Sequence, residues 1–148
     1  MKNIKAAAIF SLLLLLSMGL KAQVKHKAVH HTSSLALSIN RGKQVYSKTC
    51  VTCHQADGSG VPMMNPPLKQ TEYVLGDPTR LIKIVLNGFN EDVEINGSKF
   101  SNNMPSHDFL TDQQIADVLT YVRNDFTNKA PYITAAQVKL VRAANKKK

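Results

Sequence analysis

Cys50-Val51-Thr52-Cys53-His54 constrains this chain more than any other stretch. The spacing C-x-x-C-H is the signature of c-type haem attachment. Two thiols separated by two residues on one helical turn face one porphyrin edge, where each can add across a vinyl group. The histidine that follows then lies under the iron and can offer an imidazole nitrogen as proximal ligand. The competing readings are weaker. A redox Cys pair goes with a thioredoxin-like βαβ pattern, and none is visible. A zinc site needs two more ligands at tight spacing, and the chain has only these two cysteines.

The N-terminus reads as an export signal. Lys2 and Lys5 form a charged start, an apolar run follows, and small residues lead to a cut after Ala22. The competing reading is a retained membrane anchor, but the apolar run is shorter than the ~20 residues that a spanning helix needs. Export fits covalent haem attachment, which in bacteria takes place outside the cytoplasm. The 148-residue length suggests one folded domain. The expected organisation is a signal peptide at 1–22, a flexible arm at 23–33, a haem domain at 34–130, and a C-terminal helix with a basic tail at 131–148.

The formal net charge is +9, falling to about +6 once Lys2, Lys5 and Lys21 leave with the signal. Much of that excess sits in Lys25, Lys27, Lys139, Arg142 and residues 146–148. Such end runs are ordinarily solvated. The functional alternative is steering toward an acidic partner or an anionic membrane face. No nucleic-acid reader motif is present.

Along the chain, Leu35, Ile39, Gly42, Val45, Tyr46 and Thr49 recur at three- and four-residue spacing, one face of a helix running into the Cys motif. Gly42 inside that helix costs about 1 kcal/mol against alanine, which a close crossing by another helix would offset. A helix starting only after Gly42 is the alternative. Pro62, Pro66 and Pro67 rule out regular structure after the motif and leave carbonyls free. A ligating histidine needs an acceptor for its second ring N–H, and the carbonyl of Pro66 or Pro67 is the candidate for His54. Thr71 caps a short helix. Asp77-Pro78 opens a longer one, with Leu81, Ile82, Val85, Leu86 and Phe89 on one face and Gly88 at its end. Asn96-Gly97 marks a hairpin. Thr111 and Gln114 form a capping box ahead of Ile115, Val118, Leu119, Val122 and Phe126. Thr134 and Gln137 repeat the pattern before a last helix.

A second axial ligand is expected from Met104. Met63 and Met64 follow His54 too closely to cross the haem easily, whereas Met104 lies beyond a helix and a hairpin, in a polar Asn-Asn-Met-Pro-Ser loop. His107 is the runner-up, with His30 and His31 more remote. Any lone methionine can also be ordinary apolar packing. A Met/His pair raises the potential relative to two histidines.

With these residues in place, the chain resembles the class I cytochrome c family, in particular small exported mono-haem cytochromes of bacteria. The resemblance is carried by Cys50-Val51-Thr52-Cys53-His54, Pro66-Pro67-Leu68, Gly76-Asp77-Pro78, the run from Arg80 to Leu86, Asn96-Gly97, Met104-Pro105 and Leu119-Thr120-Tyr121-Val122-Arg123, and covers residues 39–128. It implies an all-α shell around one covalent haem c, with the first and last core helices crossing and a small β-hairpin inserted before the axial Met loop. It also implies attachment at Cys50 and Cys53 and iron ligation by His54 and Met104. Gly42 and Tyr46 would then meet Tyr121 or Val122. Arg80 would contact a haem propionate or, equally, form an exposed salt bridge on its own helix.

The implied function is a periplasmic one-electron carrier, monomeric and without catalytic residues, working between a dehydrogenase or respiratory complex and a terminal oxidase. Membrane contact would come through a partner or an uncleaved N-terminal segment. The competing functions are an open-iron haem enzyme of peroxidase type, with His107 as distal base, and a haem-based sensor subunit.

Overall fold

The computed structural model describes residues 25–145, with side chains from 34 onward. The signal segment and residues 146–148 lie outside the described residues. The elements are α1 (Lys25–Thr49), α2 (Val51–His54), α3 (Glu72–Leu75), α4 (Pro78–Asn87), β1 (Val93–Ile95), β2 (Ser98–Phe100), α5 (Asp112–Asn124) and α6 (Ala135–Asn145). The contacts described below belong to the compact unit Leu35–Lys148.

Local chemistry sets most of these boundaries. The Thr71 side chain accepts the Val74 N–H and starts α3. Asp77 accepts from the N–H groups of Thr79 and Arg80, with Pro78 at the first helical position of α4. At α5 the Thr111 hydroxyl accepts from Gln114 N while the Gln114 side chain accepts from Thr111 N, closing the capping box. Thr134 and Gln137 make the same reciprocal pair before α6. Asn96 and Gly97 both take positive φ, 53° and 76°, as a two-residue hairpin turn requires. That turn sets the antiparallel register Val93↔Phe100, Glu94↔Lys99 and Ile95↔Ser98. The period-2 alternation of strands then puts Ile95 and Phe100 inward and leaves Glu94 and Lys99 in solvent.

The helix ahead of the Cys motif runs unbroken through Gly42, so it does not start after the glycine. It begins at Lys25, within the stretch that the sequence suggests as a flexible arm. The crossing expected at Gly42 is present: the position where its Cβ would be is 2.0 Å from the Asp117 carbonyl oxygen and 2.7 Å from Tyr121 Cβ. Beside it Tyr46, Tyr121 and Phe126 stack at centroid distances of 5.3–5.4 Å. Asp117, 2 % exposed on α5, accepts from Ser38 Oγ, from Arg41 Nε and Nη2, and from Gln113 Nε2. A buried carboxylate is tolerable only with such a set of donors.

A buried arginine ties the other side together. Arg123, 3 % exposed, donates to the carbonyls of Val74, Gly76 and Pro131. It therefore joins α5 to the turn between α3 and α4 and to the start of the C-terminal segment. Helix α6 packs on α4 and α5, burying Val138 completely, with Ile133 just ahead of it at 2 % exposure.

Candidate cofactor site

The helices and the hairpin enclose an apolar cavity of about 180 Å³. Close-packed interiors hold few voids larger than a water molecule. A cavity of this kind inside so small a core is a candidate binding site. Its wall is mostly apolar: Leu68, Val74, Leu81, Ile84, Val85, Leu110, Val118, Leu119 and Val122 from the core, and Val93, Ile95 and Phe100 from the hairpin.

Cys50, Cys53, His54 and Met104 all line this cavity. Cys50 follows the end of α1 directly, and its carbonyl accepts the N–H groups of Cys53 and His54, so one tight turn carries both sulfurs and the imidazole. The two cysteines form no disulfide. Gln55, at a left-handed φ of 64°, ends the turn, and its carbonyl accepts the Tyr46 hydroxyl at 2.7 Å.

His54 Nδ1 donates to the Pro66 carbonyl at 3.0 Å. Of the two prolines that the sequence offers, the fold selects Pro66. Because a carbonyl only accepts, Nδ1 carries the proton and Nε2 keeps its lone pair. Burial holds the His54 pKa below its ordinary 6.5, the Pro66 bond works against that shift, and His107 adds to it. The neutral ring, the form that ligates a metal, is the favoured one. Burial likewise pushes the Cys50 thiol up, with the Thr49 hydroxyl opposing.

Met104 arrives on a loop that is tied to α4. Its N–H donates to Phe89 O at 2.8 Å and its carbonyl accepts from Phe89 N at 2.9 Å. Ser106 Oγ donates to Leu86 O and His107 N donates to Val85 O, so the loop satisfies carbonyls at the C-terminal end of α4 that have no partner within the helix. His107 lines the same cavity, with Nδ1 donating to Pro105 O. Met63 and Met64 are 78 % and 51 % exposed and do not line it. His30 and His31 fall where no side chain is described.

Arg80 is not among the lining residues. It pairs with Glu72 of α3 and lies over the Tyr73 ring at 4.3 Å, so its salt bridge reaches the preceding helix and does not stay on its own. Sequence reasoning missed Tyr73, Asn65, Asn103 and Glu91, all of which line the cavity. Tyr73 sits at the helical spacing of α3, a signal that could have found it; the other three lie in irregular segments with none.

Among the described residues no group of three or more His, Cys, Asp or Glu side chains could hold a bare metal ion. An apolar cavity without a bare-metal ligand set suits a macrocycle that brings its own four nitrogens to iron. Two thiols, a half-buried neutral imidazole and a thioether fit a haem of the c type.

The fold and the site define a haem protein of the cytochrome c class. Residues 39–125 match the cytochrome c family model, and the chain belongs to that haem-binding family. It is 32 % identical over 118 residues to cytochrome c-552 of Thermus thermophilus, covering 74 % of this chain and 79 % of that protein. It is 38 % identical over 104 residues to the cytochrome c subunit of the quinone alcohol dehydrogenase of Gluconacetobacter polyoxogenes, covering 68 % of this chain and 22 % of the relative. It is 35 % identical over 99 residues to the gluconate 2-dehydrogenase cytochrome c subunit of Pantoea cypripedii, with 65 % and 22 % covered. The chain thus spans about a fifth of the length of these dehydrogenase subunits.

Proposed function

We propose that this chain is a periplasmic one-electron carrier that holds one haem c through thioether bonds from Cys50 and Cys53, with His54 and Met104 as axial ligands. The observation that carries this reading is the convergence of all four side chains on one apolar cavity, with His54 oriented by Pro66. Bound there, the haem supplies a reversible Fe(III)/Fe(II) couple.

The protein supplies the rest. The Pro66 carbonyl fixes the His54 tautomer and makes the ring a better donor. The thioether of Met104 favours the reduced iron and raises the potential above that of a two-histidine site. The apolar wall excludes water and limits rearrangement as the charge changes. With both axial positions taken, no coordination site is left for a substrate, so the chain acts as a carrier and not as an enzyme.

The proposed partners are a dehydrogenase on one side and a terminal oxidase on the other, in line with the dehydrogenase subunits among its relatives. The export signal read in residues 1–22 supports a periplasmic location. Among the described residues no helix is long and apolar enough to cross a membrane.

The test is an optical spectrum of the purified, exported protein, oxidised and reduced, with and without carbon monoxide. The expected result is a methionine–iron charge-transfer band when oxidised, low-spin bands when reduced, and no shift with carbon monoxide. A missing band with ready carbon monoxide binding would overturn the carrier and put an open-iron enzyme or sensor in its place.

A further inference from the structure

The segment carrying Met104 runs from the end of α4 to the start of α5, and α6 grips both of its ends. At the α5 end, Arg142 donates from Nη2 to Leu110 O at 2.6 Å, from Nη1 to Asp108 O at 2.9 Å and from Nε to Asp112 Oδ1 at 2.7 Å. At the α4 end, Asn145 Nδ2 donates to Asn87 Oδ1. The Arg142 grip is partly buried, whereas the Asn145–Asn87 contact lies at the surface. The side chains of Arg142 and Asp112 are only 21 % and 29 % exposed, and α6 is anchored in the core through the fully buried Val138.

The positions of these contacts matter more than their number. Met104 sits between Phe89, which pairs with its backbone, and His107, whose N–H and carbonyl bond Val85 O and Leu110 N. Asp108 and Leu110 are therefore the next fixed points after His107, and both are held by the Arg142 fork. Helix α6 lies outside residues 39–125, the part that matches the family. The brace is made by the C-terminal segment, outside the residues that match the family model.

We infer that Arg142 is a positioning residue for Met104: by clamping residues 108–112 to α6 it sets how readily the thioether is displaced from iron. This rests on Met104 being the axial ligand. A thioether is a weak, neutral donor, so the lifetime of its bond depends on how little freedom its loop gains on release. A loop fixed at both ends is pre-organised and gains little. Cutting one anchor lets the backbone of residues 105–110 explore more conformations once the sulfur leaves, and a competitor then wins more easily.

The experiment is a titration of the haem-loaded, oxidised full-length protein with imidazole, followed at the methionine–iron charge-transfer band. Wild type is compared with Arg142→Ala, Arg142→Lys and Arg41→Ala. The last variant breaks the pair with Asp117 at the α1–α5 crossing, whose hydrogen-bond partners are Ser38, Arg41 and Gln113 and not residues 104–110. Arg142→Ala should lower the imidazole midpoint about tenfold, the scale expected from freeing roughly one residue's backbone. Arg142→Lys should fall between, because an ammonium keeps the charge beside Asp112 but cannot fork onto two carbonyls. Arg41→Ala should keep the wild-type midpoint although it lowers the melting temperature.

An Arg142→Ala midpoint equal to wild type would overturn the inference. So would an Arg41→Ala midpoint lowered as much, since the effect would then be general loss of stability. A wild-type protein without the band would instead overturn the assignment of Met104, and the brace with it. If Arg142→Ala does not accumulate, Arg142→Lys carries the test, and a wild-type midpoint there would overturn the inference.

Discussion

Gly42 on α1 and Asp117 on α5 touch backbone to backbone: a Cβ on Gly42 would stand 2.0 Å from the Asp117 carbonyl oxygen. One residue thus explains two oddities of the sequence, a glycine inside a helix and a carboxylate inside a core. The close approach lets Ser38 and Arg41 of α1 reach the Asp117 side chain at 2.6 Å. It also sets the helix crossing that holds Tyr46, which lines the cavity, against Tyr121.

Gly42→Ala should therefore destabilise the protein. Helix propensity alone favours alanine by about 1 kcal/mol, but forcing a methyl into this contact costs about 1–3 kcal/mol. The obstructing atoms are backbone, which cannot swing aside. Denaturant unfolding of the haem-loaded protein measures the balance, and a higher midpoint for alanine would refute the close-contact account.

Gly60→Ala should act on His54 from a distance. A Cβ at Gly60 would fall 2.2 Å from Asn65 O and 2.6 Å from Pro66 O, and the residue also holds a φ of 70°. Pushing on the Pro66 carbonyl weakens its bond to His54 Nδ1 and makes the ring a poorer donor. A poorer donor stabilises Fe(III) less, so the reduction potential should rise. Spectroelectrochemistry would show this, and a fall in potential would argue that the Pro66 bond has no such part.

Met104→Ala should open one side of the iron. The expected outcome is carbon monoxide binding in the reduced form and a lower potential, since the thioether favours Fe(II). His107 lines the same cavity but is held by Pro105 O and Val85 O. The double variant Met104→Ala/His107→Ala should thus bind carbon monoxide no faster than the single one. Faster binding in the double variant would mean that His107 takes the place of Met104.

Acid should weaken the start of α4. The Thr79 N–H holds the Asp77 carboxyl below its ordinary value of 3.8, against an opposing desolvation and with a lesser contribution from the Arg80 N–H. A depressed folded-state pKa means that folding prefers the ionised form. The contribution is full above the unfolded-state value near 3.9 and is lost as pH falls through the lower folded value. Asp77→Asn keeps a capping acceptor without a titration. Its melting temperature should therefore fall less than that of wild type between about pH 4 and pH 2. Parallel curves for the two proteins would show that Asp77 contributes nothing to the acid limb.

Features that reside in a few consecutive residues could be read from the chain alone. The caps at Thr71, Asp77, Thr111 and Thr134, the Asn96-Gly97 turn and the fold class were legible because each is a contact between near neighbours in the chain. Cys50, Cys53 and His54 stood out because a fixed spacing on one turn is itself the chemistry, and Met104 because proline and polar neighbours make it an odd core residue. Tertiary structure alone decided which carbonyl receives His54, and that Gly42 meets Asp117 and Tyr121 rather than Val122. It also sent Arg80 to Glu72 and Tyr73 instead of into the cavity. Arg142 looked like one more charge of a basic tail, yet it forks onto Asp108, Leu110 and Asp112. These pairings join different elements of the fold, and a long side chain has many partners within reach. The register in which the helices pack selects among them, and that register follows from filling the core around the cavity.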